Sequence, residues 1–374
     1  MRGQGHQIFV DELARFAAGD SDPRVAAIAE RAAAPLRVAV RGRRGVGRST
    51  VARALEAAGT TPGISVTSAR AADRDVDLIV YVTAEVIKPE DAEAIAGAQR
   101  PVLAVLNKAD LAGSLSGRTG TAPMAAARAR CTHLAELVGV PVEPMIGLLA
   151  VAALDDLDQT LWAALRVLAA DPAESACRGV VFDDLFEGSF DGFLNASNPV
   201  PADVRLRLLD TLDLFGTALG VAAIRRGKTT AQVRALLRRM SCVDAVVDKL
   251  CAVGAEVRYQ RVLEAVAELE ALAVNQGGTG ERISAFLTRD DTVVARMAAA
   301  LDVAEAAGLE DFADRHDPAA HLPRAARWQR YSRGSVSDLH RACGADIARG
   351  SLRLWSQTCG SLPEGPAESS GGQW

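Results

Sequence analysis

The sequence predicts an α/β domain with a mostly parallel sheet and flanking helices, followed by an all-α helical domain. Residues 36–40 read as a strand, and the continuous apolar runs at 78–82 and 102–106 have the character of strands buried on both faces of a parallel sheet. A glycine-rich loop separates the first strand from a helical pattern. Beyond about residue 155 the strand signal gives way to apolar residues at three and four spacing. With 374 residues the chain is long enough for two domains.

The elements follow in order. Residues 8–34 form a helical preface, broken at Gly19-Asp20-Ser21-Asp22-Pro23, where Asp22 caps a helix with Pro23 in its first position. Residues 36–40 make the first strand, the glycine loop follows, and residues 49–58 make a helix ending at Gly59. The stretch between Thr50 and Asp77 spans 26 residues, which leaves room for one short strand at 64–67. After the strand at 78–82, Pro89-Glu90-Asp91 opens a helix to about residue 98, and the strand at 102–106 comes next. Residues 112–122, rich in glycine, serine and threonine, are expected to be a mobile loop. A helix at 123–138 and a short strand at 140–145 complete the α/β part.

Helices are then expected at 161–168, 204–224, 230–240, 242–253, 257–274 and 291–307. Thr229 or Thr230, Ser241, and Asp290 or Asp291 are their caps, and Gly277–Gly280 is a loop. The resulting division is 1–34 preface, 35–153 α/β domain, 154–362 helical domain and 363–374 disordered tail.

Composition bounds the function classes. Hydrophobic residues are 49% and aromatics 4%, so the core is aliphatic. A net charge of -5 makes no case for nucleic acid. The basic clusters Arg225-Arg226-Gly227-Lys228 and 324–333 read first as solvated helix ends. The six cysteines contain no CxxC pair, and no signal-peptide order opens the chain; a cytoplasmic location is expected, with peripheral contact to the inner face of the membrane as the alternative. The longest nearly apolar run, 212–224, is too short to span a membrane. His133, His316, His321 and His340 lack metal-binding spacing.

Two motifs carry chemistry. Gly42-Arg43-Arg44-Gly45-Val46-Gly47-Arg48-Ser49-Thr50 matches GxxxxGK(S/T) except that Arg48 stands where the motif has lysine. In such a loop backbone N–H groups cradle phosphates and the hydroxyl, here of Ser49, holds magnesium. The second is Asn107-Lys108-Ala109-Asp110 at the end of a strand. Ligands of parallel sheets bind at the carboxyl ends of strands, so both motifs project toward one edge.

Together these residues resemble the P-loop GTPases, whose NKxD motif reads the base, and in particular the Era-like and dynamin-like branch. The resemblance covers residues 36–152 and implies GTP or GDP with Mg2+ as cofactors. By it, Asp110 accepts two hydrogen bonds from guanine, Asn107 bonds the ring and carbonyl side, and the stem of Lys108 lies along the base. A carboxylate facing two N–H donors rejects adenine, which would leave it unpaired. In place of the usual Ser-Ala-Lys loop stands Pro144 to Ala150, from which backbone N–H groups at Ile146 and Gly147 would touch the guanine carbonyl.

The phosphate side departs from the family. No DxxG precedes the strand at 78–82; the segment is Ala72-Asp73-Arg74-Asp75-Val76-Asp77. Arginine does not replace the compact ammonium of lysine between phosphates. Thr60, Thr61 and Thr67 are candidates for a magnesium-linked threonine. The expected function is therefore a degenerate GTP-binding regulatory protein with slow or lost hydrolysis, its nucleotide state coupled to a helical partner-binding domain. Two alternatives stand beside it: a pseudo-GTPase scaffold that binds no nucleotide and pairs with a related active GTPase, and a dynamin-like membrane-associated GTPase.

Overall fold

The structure is a computed structural model describing residues 4–20, 22–59, 63–67, 72, 75–112, 123–155, 157–170, 190–195, 199–275, 277–309 and 317–359. Two helices open the chain, α1 (Gly5–Ala18) and α2 (Pro23–Ala33). Asp22 caps α2 as its sequence requires, its carboxylate accepting from the Arg24 N–H at 2.9 Å. An alternating stretch follows: β1 (Leu36–Gly42), α3 (Arg48–Gly59), β2 (Ile64–Thr67), β3 (Leu78–Ala84), α4 (Pro89–Ala96), β4 (Val102–Asn107), α5 (Pro123–Val138), β5 (Val142–Met145) and α6 (Gly147–Leu154).

The five strands form one all-parallel sheet in the order β2-β1-β3-β4-β5. Their apolar runs are buried on both sides. Ile79, Tyr81, Ala104 and Leu106 face Ile95 of α4 and Cys131 and Leu134 of α5. The helix α3 packs on β1 and β2 across the sheet from them. Register brings Gly42 beside Val82, Ala84 beside Asn107, and Asn107 beside Met145. The carboxyl ends of β1, β3, β4 and β5 therefore meet at one edge. The order reverses between β1 and β3, which opens a crevice there.

The rest is helical: α7 (Gln159–Ala170), α8 (Phe190–Asn195), α9 (Ala202–Arg225), α10 (Thr230–Ser241), α11 (Val243–Val253), α12 (Ala255–Asn275), α13 (Gly277–Thr288), α14 (Asp290–Ala306), α15 (His321–Ser332) and α16 (Asp338–Cys359). Thr229 caps α10 through a reciprocal pair with Gln232. Two expectations fail locally. Gly277–Gly280 opens α13 instead of forming a loop, and Arg289 holds the N-cap position of α14, so Asp290 and Asp291 lie in its first turn. Carboxylates are also favoured there, against the positive end of the helix dipole. The expected mobile loop, from residue 113 on, and the expected disordered tail lie outside the described residues.

The chain forms two compact units, Pro35–Val253 and the combination of Met1–Ala34 with Gly254–Trp374. The expected boundary near residue 154 falls inside the first of these. One apolar cluster runs from Ile146, Leu149 and Ala153 through Leu161, Leu165, Leu208 and Leu212 to Val233 and Leu237, so α7 to α10 share a core with α6. The expected preface instead packs its Phe9, Leu13, Val25 and Ile28 with Tyr259, Val262, Leu269 and Ala300. Among the described residues no helix is long and apolar enough to cross a membrane.

Candidate functional site

The loop from β1 to α3 depends on three left-handed glycines. Gly42 (φ 140) lies so close to β3 that a Cβ would run into the carbonyl of Val82. At Gly47 (φ 86) a Cβ would strike the amide of Asn107. Gly45 (φ 87) faces open space, so its backbone is bare toward the cavity. Helix α3 starts at Arg48, and the N–H groups of its first turn have no carbonyl four residues back. Such an end attracts anions.

Asn107, at the end of β4, is 3% exposed and bonds to the protein at both ends of its amide. Its Nδ2 donates to the Val46 carbonyl at 2.9 Å, and its Oδ1 accepts from the Gly147 N–H at 2.9 Å. It therefore ties the glycine loop to the turn after β5. The two expected backbone donors are committed as well: the Ile146 N–H donates to the Ser241 carbonyl at 3.0 Å, and that of Gly147 to Asn107. Leu148, in the first turn of α6, lines the cavity as well.

Lys108 is exposed and left-handed (φ 58), a turn that swings the chain so that Asp110 faces the cavity. Asp110 is 7% exposed, and burial pushes its carboxyl up to about 6, with the charge of Asp213 adding to the rise. Asp213 belongs to α9 and lines the same cavity. Sequence reasoning passed over it because it begins the long apolar run; the one visible signal is an acid inside that run.

The arginines of the loop divide. Arg43 turns away to Asp91 of α4, its Nε 2.9 Å from both carboxylate oxygens. Tyr81 donates to the same carboxylate at 2.9 Å, as does the Lys88 N–H at 2.9 Å. Burial works to raise Asp91, but these bonds hold it below the usual carboxylate range; burial and the Asp91 bond push Tyr81 up to about 12. Arg44 and Arg48 line the cavity and form no ion pair among the described residues.

Asp77, nearest to the missing DxxG, lies at the opposite edge of the sheet. Its carboxylate accepts from the Arg37 N–H at 2.8 Å, where β1 and β3 begin. Thr67 lines the cavity and donates to the Val38 carbonyl at 3.3 Å; Thr60 and Thr61 lie outside the described residues.

These parts enclose one cavity of about 720 Å³, with Arg44, Gly45, Gly47, Arg48, Ser49 and Thr50 on its wall together with Lys108, Asp110, Ile146 and Gly147. That is the size of a small-molecule site. Its donors fit an anion at the glycine loop, and the accepting carboxylate of Asp110 fits a donor-rich ring. For a metal ion the described part of the wall offers the hydroxyls of Ser49, Thr50 and Thr67 and the carboxylates of Asp110 and Asp213, whose charges oppose each other. Among the described residues no group of three His, Cys, Asp or Glu side chains could hold a metal. The chain matches no protein-family model, and no curated protein is significantly similar to it.

Proposed function

We propose that the chain binds a guanine nucleotide in this cavity, hydrolyses it slowly or not at all, and passes its nucleotide state to helices that meet a protein partner. The observation that carries the reading is the convergence of the glycine loop and Asp110 on one cavity, fastened together by Asn107. Phosphates would lie against Gly45, Gly47 and the start of α3. The N–H groups of guanine would face Asp110, and the resemblance to the P-loop GTPases points the same way. Slow turnover follows from Arg48 in place of lysine and from a glycine loop and helix start that, among the described residues, offer hydroxyls without a carboxylate. Magnesium, when bound with the phosphates, would supply charge neutralisation beside Ser49. Coupling to a partner follows from Asp213, which makes α9 part of the cavity wall.

A scaffold that binds no nucleotide is the second reading, favoured by the commitment of the Ile146 and Gly147 N–H groups within the protein. Calorimetry with GTP and GDP, with and without Mg2+, separates the two. Saturable binding that Asp110→Ala abolishes, with phosphate release near background, is expected. An absence of binding at millimolar nucleotide would overturn the first reading and leave the second.

A further inference from the structure

Helix α9 is not continuous. At Asp213 the backbone takes φ 60 and ψ -178, an extended left-handed conformation inside a helix. Residues other than glycine rarely adopt it, and it persists only where the surroundings impose it. Here Leu212 and Phe215 are buried on either side, and Gly216 packs so close to α6 that a Cβ would lie 2.8 Å from Leu149. The Thr217 hydroxyl donates to the Asp213 carbonyl at 2.7 Å. Oδ1 of Asp213 accepts from the Leu214 N–H at 2.7 Å, capping the second half of the helix. Among the described residues no donor reaches its Oδ2.

The break resets the rotation of the helix and brings this carboxylate to the cavity wall beside Asp110. Two carboxylates side by side repel each other in an empty cavity and favour an occupant rich in N–H groups. Guanine presents three on one edge, N1–H and both hydrogens of its 2-amino group. The two oxygens of Asp110 can take two of them, and the third points to a neighbouring acceptor.

Building on the guanine-nucleotide reading, we propose that Asp213 is a second base-reading residue, whose free carboxylate oxygen accepts from the 2-amino group of guanine. The site then rejects a hypoxanthine base, which lacks that group, more strongly than Asp110 alone would. The break in α9 thereby places a helix outside the sheet in direct contact with the base.

The test is titration of GDP and IDP into the wild-type protein, Asp213→Asn and Asp213→Gly. Glycine suits the backbone at this position, so the second variant keeps the fold even if asparagine disturbs it; circular dichroism checks both. The expected result is that wild type prefers GDP and that both variants reduce the GDP-over-IDP preference by about 10-fold or more, the scale of a hydrogen bond to a charged group. An unchanged preference in folded variants, or an equal loss of both nucleotides, would overturn this inference and leave the nucleotide reading standing. If wild type binds neither GDP nor IDP, both fall together.

Discussion

Asn107 is the residue on which the site's geometry turns, because three segments meet at its amide. Replacing it with leucine, which keeps much of the volume, strands the Val46 carbonyl and the Gly147 N–H inside the protein. Two buried unpaired groups cost about 2–4 kcal/mol together, and urea denaturation of Asn107→Leu should register a loss of that size. Asp110 acts in the opposite sense. Its carboxyl rises from 3.8 to about 6 on folding, so the folded chain holds a proton that the unfolded chain has lost. Its contribution to stability therefore falls as pH rises through that window, and the full deficit stands above it. Asp110→Asn should stabilise the nucleotide-free protein at pH 7 by about 1–3 kcal/mol, measured by the same denaturation. In the wild type, GDP affinity should weaken as pH falls through about 6, because the protonated acid cannot accept two N–H bonds. A flat binding profile from pH 7.5 to 5.5 would contradict that role.

At the scale of elements, the glycine loop is held from behind as well as from the side. Arg43 anchors it to α4 through Asp91, so Arg44 and Arg48 are the loop's arginines on the cavity wall. The Arg48→Lys variant asks whether the one missing motif residue limits turnover. Because the glycine loop and the start of α3 offer hydroxyls but no carboxylate among the described residues, the variant should strengthen GTP binding yet leave hydrolysis within about tenfold of wild type, measured as phosphate release. A larger rise would mean that Arg48 is the limiting defect. The elements were legible wherever periodicity or a cap specifies them: β3 and β4 from unbroken apolar runs, α2 from Asp22 and Pro23, α10 from Thr229. Even β2 followed from the shortness of the segment that holds it. The break in α9 was not legible, because its apolar spacing continues through Asp213 and the packing and hydrogen bonds around the left-handed residue arise only in the folded chain. Likewise the residues of the motif at 107–110 pointed to the site, but the partners of the Asn107 amide arise only when β4, the glycine loop and the turn after β5 come together.

The whole molecule consists of two units, and each buries a titratable group whose shift runs in its own direction. In the unit that combines residues 1–34 with 254–374, His6 is 8% exposed and, among the described residues, its Nε2 has no hydrogen-bond partner. Burial and the charges of Arg258 and Arg261 push it down from 6.5 to about 4. Stability from this neutral imidazole is complete above pH 6.5 and is lost as pH falls toward 4, since the unfolded chain takes up the proton first. That unit should lose about 2–3 kcal/mol across the window, and His6→Gln should remove most of the slope; thermal unfolding at pH 7 and pH 4.5 measures both. The same division bears on the order in which the molecule is made. The helices α1 and α2 are synthesised before residues 35–253, yet the cluster that covers Phe9, Leu13, Val25 and Ile28 includes Tyr259, Val262 and Leu269. A growing chain can complete the unit from Pro35 to Val253 while its first two helices still expose their apolar faces. These two helices must then wait for more than two hundred residues of synthesis, an interval in which their exposed apolar faces favour premature association.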